Sequence, residues 1–165
     1  MGAQEITLLG GVSEDSDTHD RSNSWQIEYM EGLGNYFAIT ISHLNEGHIP
    51  NHHRDGNAIQ LWGSTGLIDR RIVLAAGVGP YFFYDTIEAR AGRSYSDSHG
   101  WGYISSMAVT WYTESRLIVQ FRTNWVHTSN DLDTITPLIG LGYRFDVPAR
   151  RETGAAAPTH IEKST

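Results

Sequence analysis

The segment N-W-V-H-T-S-N, residues 124–130, places a histidine and a serine two positions apart, just after a tryptophan. A serine hydroxyl becomes a nucleophile when an imidazole takes its proton, and a carboxylate on the other imidazole nitrogen improves that base. Residues two apart on a β-strand share a face and lie about 6.5–7 Å apart along the backbone. His127 and Ser129 therefore have the spacing of an esterase site, provided that the strand continues to residue 129.

Two aspartates follow the serine and can supply the carboxylate. We expect Asp133 to orient His127, with Asp131 as the alternative acid. Asn130, or a backbone N–H nearby, would stabilise the oxyanion. Chemistry of this kind needs no cofactor. The alternative is that H-T-S-N-D-L-D is only a solvated loop tip, since these residue types dominate turns for backbone reasons.

The elements around this segment are β-strands. Helical periodicity is hard to find, whereas apolar and polar residues alternate at period two again and again between turn-forming residues. The pattern predicts eight strands, at residues 5–13, 24–33, 36–46, 57–65, 70–84, 100–113, 116–127 and 134–145.

The links between these strands alternate in length. Short links are expected at 32–35, 65–69 and 113–115, and long polar links at 14–23, 47–56, 85–99 and 128–133. In an up-and-down barrel, alternate links lie at the same end, so short turns share one rim and long loops the other. Bacterial outer-membrane barrels have this asymmetry. The sequence thus predicts an all-β fold, an eight-stranded antiparallel up-and-down transmembrane β-barrel.

Residue parity assigns the two faces of each strand. In strand 116–127 the odd residues are apolar except Thr123, and His127 and Ser129 share their parity. Asp133 likewise shares the parity of Ile135 and Leu141 in the last strand. All three proposed catalytic residues would face outward, toward lipid. Pro137 lies in the last strand, and a proline cannot donate a hydrogen bond to a neighbouring strand. It can therefore shift the strand register that places Asp133 on the outward face.

The inward face is predicted to be small and polar, with Glu28 and Arg122 close enough to pair inside the narrow barrel. Aromatic side chains near the strand ends would form the interfacial girdles of a membrane barrel. These are Trp25, Tyr36, Phe37, Trp101, Trp111, Tyr112, Trp125 and Tyr143. The competing fold is a soluble β-barrel or sandwich, whose polar face would meet water.

Composition narrows the function classes further. The net charge of −7 and the absence of any lysine or arginine run argue against a nucleic-acid partner. The lack of cysteine excludes disulfides, thiolate metal sites and a cysteine nucleophile. The N-terminus does not resemble a secretory signal, so we expect an exported protein to be numbered from its mature chain. Residues 1–145 are predicted to form the barrel and 146–165 a flexible polar C-terminal tail.

A second group of candidate ligands lies in residues 42–56. Its members are His43, His48, His52, His53, Arg54 and Asp55. Imidazoles and carboxylates suit zinc, but the spacing matches no compact metal signature, so no metal site is assigned. We expect instead a polar loop facing lipopolysaccharide sugars and phosphates, with Arg54, Arg90 and Arg93 suited to the phosphate groups.

The motif H-x-S-N lies at the outer end of the penultimate strand of the predicted eight-stranded barrel. It resembles the motif of the PagL family, whose members are outer-membrane lipid A 3-O-deacylases. The resemblance implies that His127 is the base and Ser129 the nucleophile, and Asn130 matches the last motif position. That family has a glutamate where this chain offers only Asp133 or Asp131, and the clear likeness covers about the last 30 residues. It implies an esterase acting on lipid A in the bacterial outer membrane, with its loops on the extracellular side. The alternative is a non-enzymatic barrel whose histidine- and arginine-rich loops bind lipopolysaccharide, a metal or another surface ligand.

Overall fold

The computed structural model describes residues 3–49, 52–68, 71–87, 96–129 and 132–145. It contains eight strands: β1 (Gln4–Asp15), β2 (Arg21–Gly32), β3 (Phe37–Ile49), β4 (His52–Leu67), β5 (Ile72–Ile87), β6 (Ser96–Tyr112), β7 (Leu117–Thr128) and β8 (Thr134–Arg144). Within the described residues, no helix has the length and apolar composition that a membrane span requires.

The eight strands form one closed barrel in chain order. Every neighbouring pair is antiparallel, and β8 closes the barrel against β1 with Leu8 opposite Leu141. Closure gives each strand two neighbours in the sheet, and within the described residues Ser96–Trp101 of β6 extend past the end of β7 and pair with β5 alone. The predicted fold class, an eight-stranded up-and-down antiparallel barrel, is confirmed.

The outer surface is apolar along the middle of the strands. The exposed side chains there include Leu8, Ile27, Ile41, Leu61, Val78, Met107, Phe121, Ile139 and Leu141. Aromatic residues lie toward both ends, as predicted, with one exception. Tyr112 points into the barrel, where its hydroxyl donates a hydrogen bond to Glu5 (3.3 Å), because the inward positions of β6 are the even-numbered ones.

The inner face is filled mainly by polar side chains bonded to one another, as a narrow barrel requires. Arg122 donates two hydrogen bonds to Glu28, one of them at 2.6 Å, which confirms the predicted pair. Its guanidinium lies 4.7 Å from the centroid of the Trp62 ring. A smaller apolar cluster, including Leu44, Phe83 and Val126, fills the interior elsewhere.

Pro137 interrupts β8 without shifting it. Its neighbours pair with β1 in a single register, Gly11 with Leu138 and Glu14 with Ile135, while the positions between have no partners. The pairing of β8 with β7 runs through Pro137 unbroken. Asp133 therefore keeps the outward parity that the sequence assigns to it.

The links at one end, called here the turn end, span residues 33–36, 68–71 and 113–116, close to the predicted short turns. At the other end, the loop end, the strands run further than predicted. The predicted long link 47–56 is mostly strand, and β3 and β4 leave only residues 50–51 between them. Polar residues continue the alternation there, because inward ones pair with each other inside the barrel. The predicted tail, 146–165, lies outside the described residues.

Candidate functional site at the loop end

The candidate site lies where β7 ends and β8 begins. His127 is the last outward residue of β7, opposite Tyr103 of β6. Its ring lies 5.0 Å from the Tyr103 ring, measured between centroids and tilted by 38°. The strand ends at Thr128, one residue before the point that the esterase geometry needed, and Ser129 lies in the turn that follows.

His127 and Asp133 form a hydrogen-bonded pair on the outer surface. The distance between His127 Nδ1 and Asp133 Oδ2 is 2.5 Å, and both side chains remain partly exposed, 53% for histidine and 39% for aspartate. This bond leaves Nε2 as the imidazole nitrogen that can exchange a proton. Asp133, predicted as the orienting acid, thus contacts the predicted base.

A cleft of about 210 Å³ opens beside this pair. Its walls include Tyr103, Trp125, His127, Asp133 and Ile135. The aromatic and aliphatic side chains belong to the outward apolar surface, whereas the histidine and aspartate, together with Ser16 and Ser105, supply polar groups. The cleft therefore combines an apolar wall with a proton-transfer pair.

Ser129 does not complete a triad in this structure. Its Oγ lies 3.2 Å from the place where a Cβ on Gly100 would stand, beside the Phe83 ring. Gly100 pairs with Phe83, which points into the barrel. Among the contacts described for these residues there is no hydrogen bond between Ser129 and His127. The expected shared face ends with the strand at Thr128, because the turn directs Ser129 toward Gly100.

Two predicted site residues, Asn130 and Asp131, lie outside the described residues, so their roles stay predictions. The second oxygen of Asp133, Oδ1, is buried and has no hydrogen-bond partner among the described atoms. It is an acceptor available to a donor from the adjoining link.

The structure separates the second predicted group of ligands. His43 faces outward beside Trp25, with its Nδ1 3.1 Å from Asn57 Oδ1. The rings of His48 and His53 lie 4.3 Å apart on the adjoining strands β3 and β4, and Asp55 pairs with Asn45 across the same strands. His52 is the first residue of β4, and its side chain is not described. In the described part of the chain, no three such side chains are grouped as a metal site would need.

Arg54 is not a surface residue of a phosphate-binding loop, which corrects its predicted role. Its side chain is 1% exposed and paired with Glu46, which is fully buried. Both residues fall on inward positions of strands that extend further than expected. Arg90 and Arg93 lie outside the described residues.

A second cavity, of about 570 Å³, lies inside the barrel at the turn end. Arg144 donates to Glu5 (3.3 Å) and lies over the Tyr112 ring, 4.0 Å from its centroid. Arg122 and Trp62 close the cavity toward the middle of the barrel.

A closed eight-stranded antiparallel barrel with an apolar outside and a polar inside is the architecture of small bacterial outer-membrane barrels, and solved structures agree. The chain is similar to the N-terminal β-barrel domain of Pseudomonas aeruginosa OprF, with a TM-score of 0.65 and 8% identity over 88% of this chain and 100% of that one. It is also similar to Yersinia pestis Ail, the attachment invasion locus protein (0.62, 10% identity, 87% and 97% covered). A third is Neisserial surface protein A, NspA (0.59, 12% identity, 87% and 96% covered).

These likenesses concern the fold alone, because the identities are low. No protein-family model and no curated protein sequence matches the chain.

Proposed function

We propose that this protein is an outer-membrane serine esterase that removes an ester-linked acyl chain from lipid A. The observation that carries the proposal is the His127–Asp133 hydrogen bond on the outer surface, beside the apolar cleft. Polar groups on the lipid-facing side of a barrel are costly. A lipid substrate accounts for a proton-transfer pair in that position, and the H-x-S-N motif supplies the matching nucleophile.

The proposed reaction uses the chain's own residues in two steps. Ser129 Oγ attacks the acyl carbonyl while His127 Nε2 takes the hydroxyl proton, and His127 then gives that proton to the departing sugar alcohol. Water hydrolyses the acyl-serine with His127 again as base, which releases the fatty acid and restores Ser129. Asp133 stabilises the imidazolium in both steps, and Asn130 or a backbone N–H of the link holds the oxyanion.

Ser129 must leave its position beside Gly100 before it can act. Ser129 lies in a turn and is exposed, so a backbone rotation within the link 129–133 brings its hydroxyl to the outer face. We propose that the substrate's acyl chain, seated in the cleft, favours this arrangement. The loop end would then face the extracellular side, where the outer leaflet carries lipid A.

The position of Ser129 also favours a second candidate function. With its hydroxyl away from His127, the protein would be a non-enzymatic barrel whose loop-end histidines bind lipopolysaccharide or another surface ligand. The two candidate functions differ in that the esterase would release an acyl chain from lipid A and the binding protein would not.

The test is to incubate the refolded barrel in detergent with purified lipid A and record the products by mass spectrometry. The esterase predicts the loss of one hydroxyacyl chain with the parent, and none with Ser129→Ala or His127→Ala. Matched controls are His99→Ala, which removes another outward histidine, and Ser115→Ala in a turn at the opposite end; both should retain activity. An inactive parent with the circular dichroism of a folded barrel would exclude the esterase and leave the binding function.

A further inference from the structure

Arg54 uses every N–H group of its guanidinium inside the barrel. An arginine side chain has five such donors. Two go to Glu46, from Nε (2.5 Å) and Nη2 (2.9 Å). The other three reach Thr128 Oγ1 (3.0 Å), Thr134 Oγ1 (2.9 Å) and the carbonyl oxygen of Leu132. All three of these acceptors belong to the ends of the link between β7 and β8.

Glu46 completes the cluster from the opposite side. It accepts hydrogen bonds from Thr134 Oγ1 and from the Tyr81 hydroxyl, the latter at 3.1 Å. Thr128 Oγ1 also donates to the Leu132 carbonyl (3.0 Å). These groups are buried, so their bonds do not compete with bulk water and the cluster is rigid when fully satisfied.

The residues held by Arg54 alternate with the residues of the candidate site. Thr128 points inward next to outward His127, while Leu132 and Thr134 flank Asp133. Successive side chains of a strand point to opposite faces. Fixing the inner residues therefore also fixes the backbone from which His127 and Asp133 project.

We propose that Arg54, oriented by Glu46, is a positioning residue that ties the end of β7 to Leu132 and to the start of β8, and thereby sets the geometry of the outer site. The inference rests on the proposed function for its catalytic consequence. Arg54 touches no substrate in this account; it acts through the backbone of the link.

The test compares two double variants that each remove one buried ion pair. Glu46→Leu with Arg54→Leu removes both members of the ion pair, which avoids the larger penalty of leaving one of them buried alone. Buried Asp85, which also interacts electrostatically with Arg54, is retained. Glu28→Leu with Arg122→Leu makes the same chemical change at a pair whose described bonds do not reach the link. Both proteins are refolded as full-length chains and compared with the parent.

Two measurements are made on each protein. For lipid A deacylation, the Glu46/Arg54 variant should lose about 10- to 100-fold in kcat, the effect of small misplacement of catalytic groups, with KM within about twofold. For hydrogen exchange by mass spectrometry, amides of residues 129–133 should exchange faster than in the parent. The Glu28/Arg122 variant should leave both measurements unchanged.

Unchanged exchange in the link, or parental kcat, in the Glu46/Arg54 variant would overturn the inference. If the parent does not deacylate lipid A, the proposed function fails, and the exchange measurement still decides whether Arg54 holds the link. If that double variant does not fold, Thr134→Val replaces it. This change keeps the side-chain shape and removes the hydroxyl that accepts from Arg54 and donates to Glu46. Faster exchange in the link of Thr134→Val would support the inference, and parental exchange would overturn it.

Discussion

The buried pair Glu28–Arg122 gives a quantitative prediction for barrel stability. Replacing Glu28 by leucine leaves a guanidinium that is 2% exposed without its counter-ion. Its Nε already has no hydrogen-bond partner among the described atoms, and the Trp62 ring, 4.7 Å away, remains as a weaker neighbour for the charge. Breaking a buried ion pair by removing one partner costs about 3–5 kcal/mol.

We expect the lower end of that range, about 3 kcal/mol, because the 570 Å³ cavity at the turn end reaches Arg122 and can admit water. The double variant Glu28→Leu with Arg122→Leu removes both charges, so its free energy of unfolding should lie within about 1 kcal/mol of the parent's. The double variant should therefore be at least about 2 kcal/mol more stable than the single variant Glu28→Leu.

The assay is reversible urea unfolding of the barrel in phospholipid vesicles, followed by tryptophan fluorescence at equilibrium. The single and double variants and the parent are measured under identical conditions, and the free energies are compared at the parent's midpoint to avoid long extrapolation. A loss below 1 kcal/mol in Glu28→Leu, or an equal loss in the double variant, would refute the account of the pair as buried and mutually dependent.

Three further predictions concern the outer face and the site. Leu141 occupies an outward position between Leu8 and Val119, and Leu141→Arg should destabilise the barrel in vesicles by about 2–4 kcal/mol. The control Leu33→Arg, in a turn-end link, should cost less than about 1 kcal/mol. Equal costs would contradict the assignment of the apolar outer surface to the membrane. Gly100→Ala should crowd Ser129 Oγ, which a new Cβ would meet at 3.2 Å and shift by a few tenths of an ångström, and should leave kcat/KM equal to the parent's or higher. A large loss in a folded protein would mean that Ser129 works where it now lies. His127→Ala should lower kcat by about 10²–10⁴-fold. Asp133→Asn should also lower kcat strongly, whereas Asp131→Asn should not. A large loss of kcat in Asp131→Asn and not in Asp133→Asn would assign the acid to Asp131.

Much of the fold could be predicted because inward- and outward-facing residues alternate along each strand of a barrel, so the two faces can be read from the sequence. The period-two alternation identified eight strands and the inward parity of Glu28 and Arg122, which the structure joins. Pro137 kept its register because β7 pairs with β8 on the side where no proline N–H is required.

Strand ends were harder to predict than strand centres. Polar residues in 47–56 suggested a loop, but Arg54 among them faces inward, where it bonds to Glu46 and to the ends of the link between β7 and β8. The inward parity already visible at Thr40 and Ser42 continues to Glu46, and this is the signal that could have revealed the Glu46–Arg54 pair.

The candidate site was predicted in part for the same reason. Residue parity correctly predicted that His127 and Asp133 lie on one surface, because His127 lies in β7 and Asp133 directly precedes β8. It failed for Ser129 because β7 ends at Thr128, and the conformation of a turn depends on tertiary contacts, here with Gly100 and the Arg54 cluster.

The most direct test of the proposed esterase is to label its nucleophile. The refolded parent is treated in detergent with a long-chain alkyl fluorophosphonate, and the modified peptide is located by tandem mass spectrometry, beside His127→Ala and the control His99→Ala. The account predicts one phosphonate adduct on Ser129 in the parent and in His99→Ala, and little or none in His127→Ala. An adduct on another residue, or no adduct on Ser129 in a folded barrel, would contradict it.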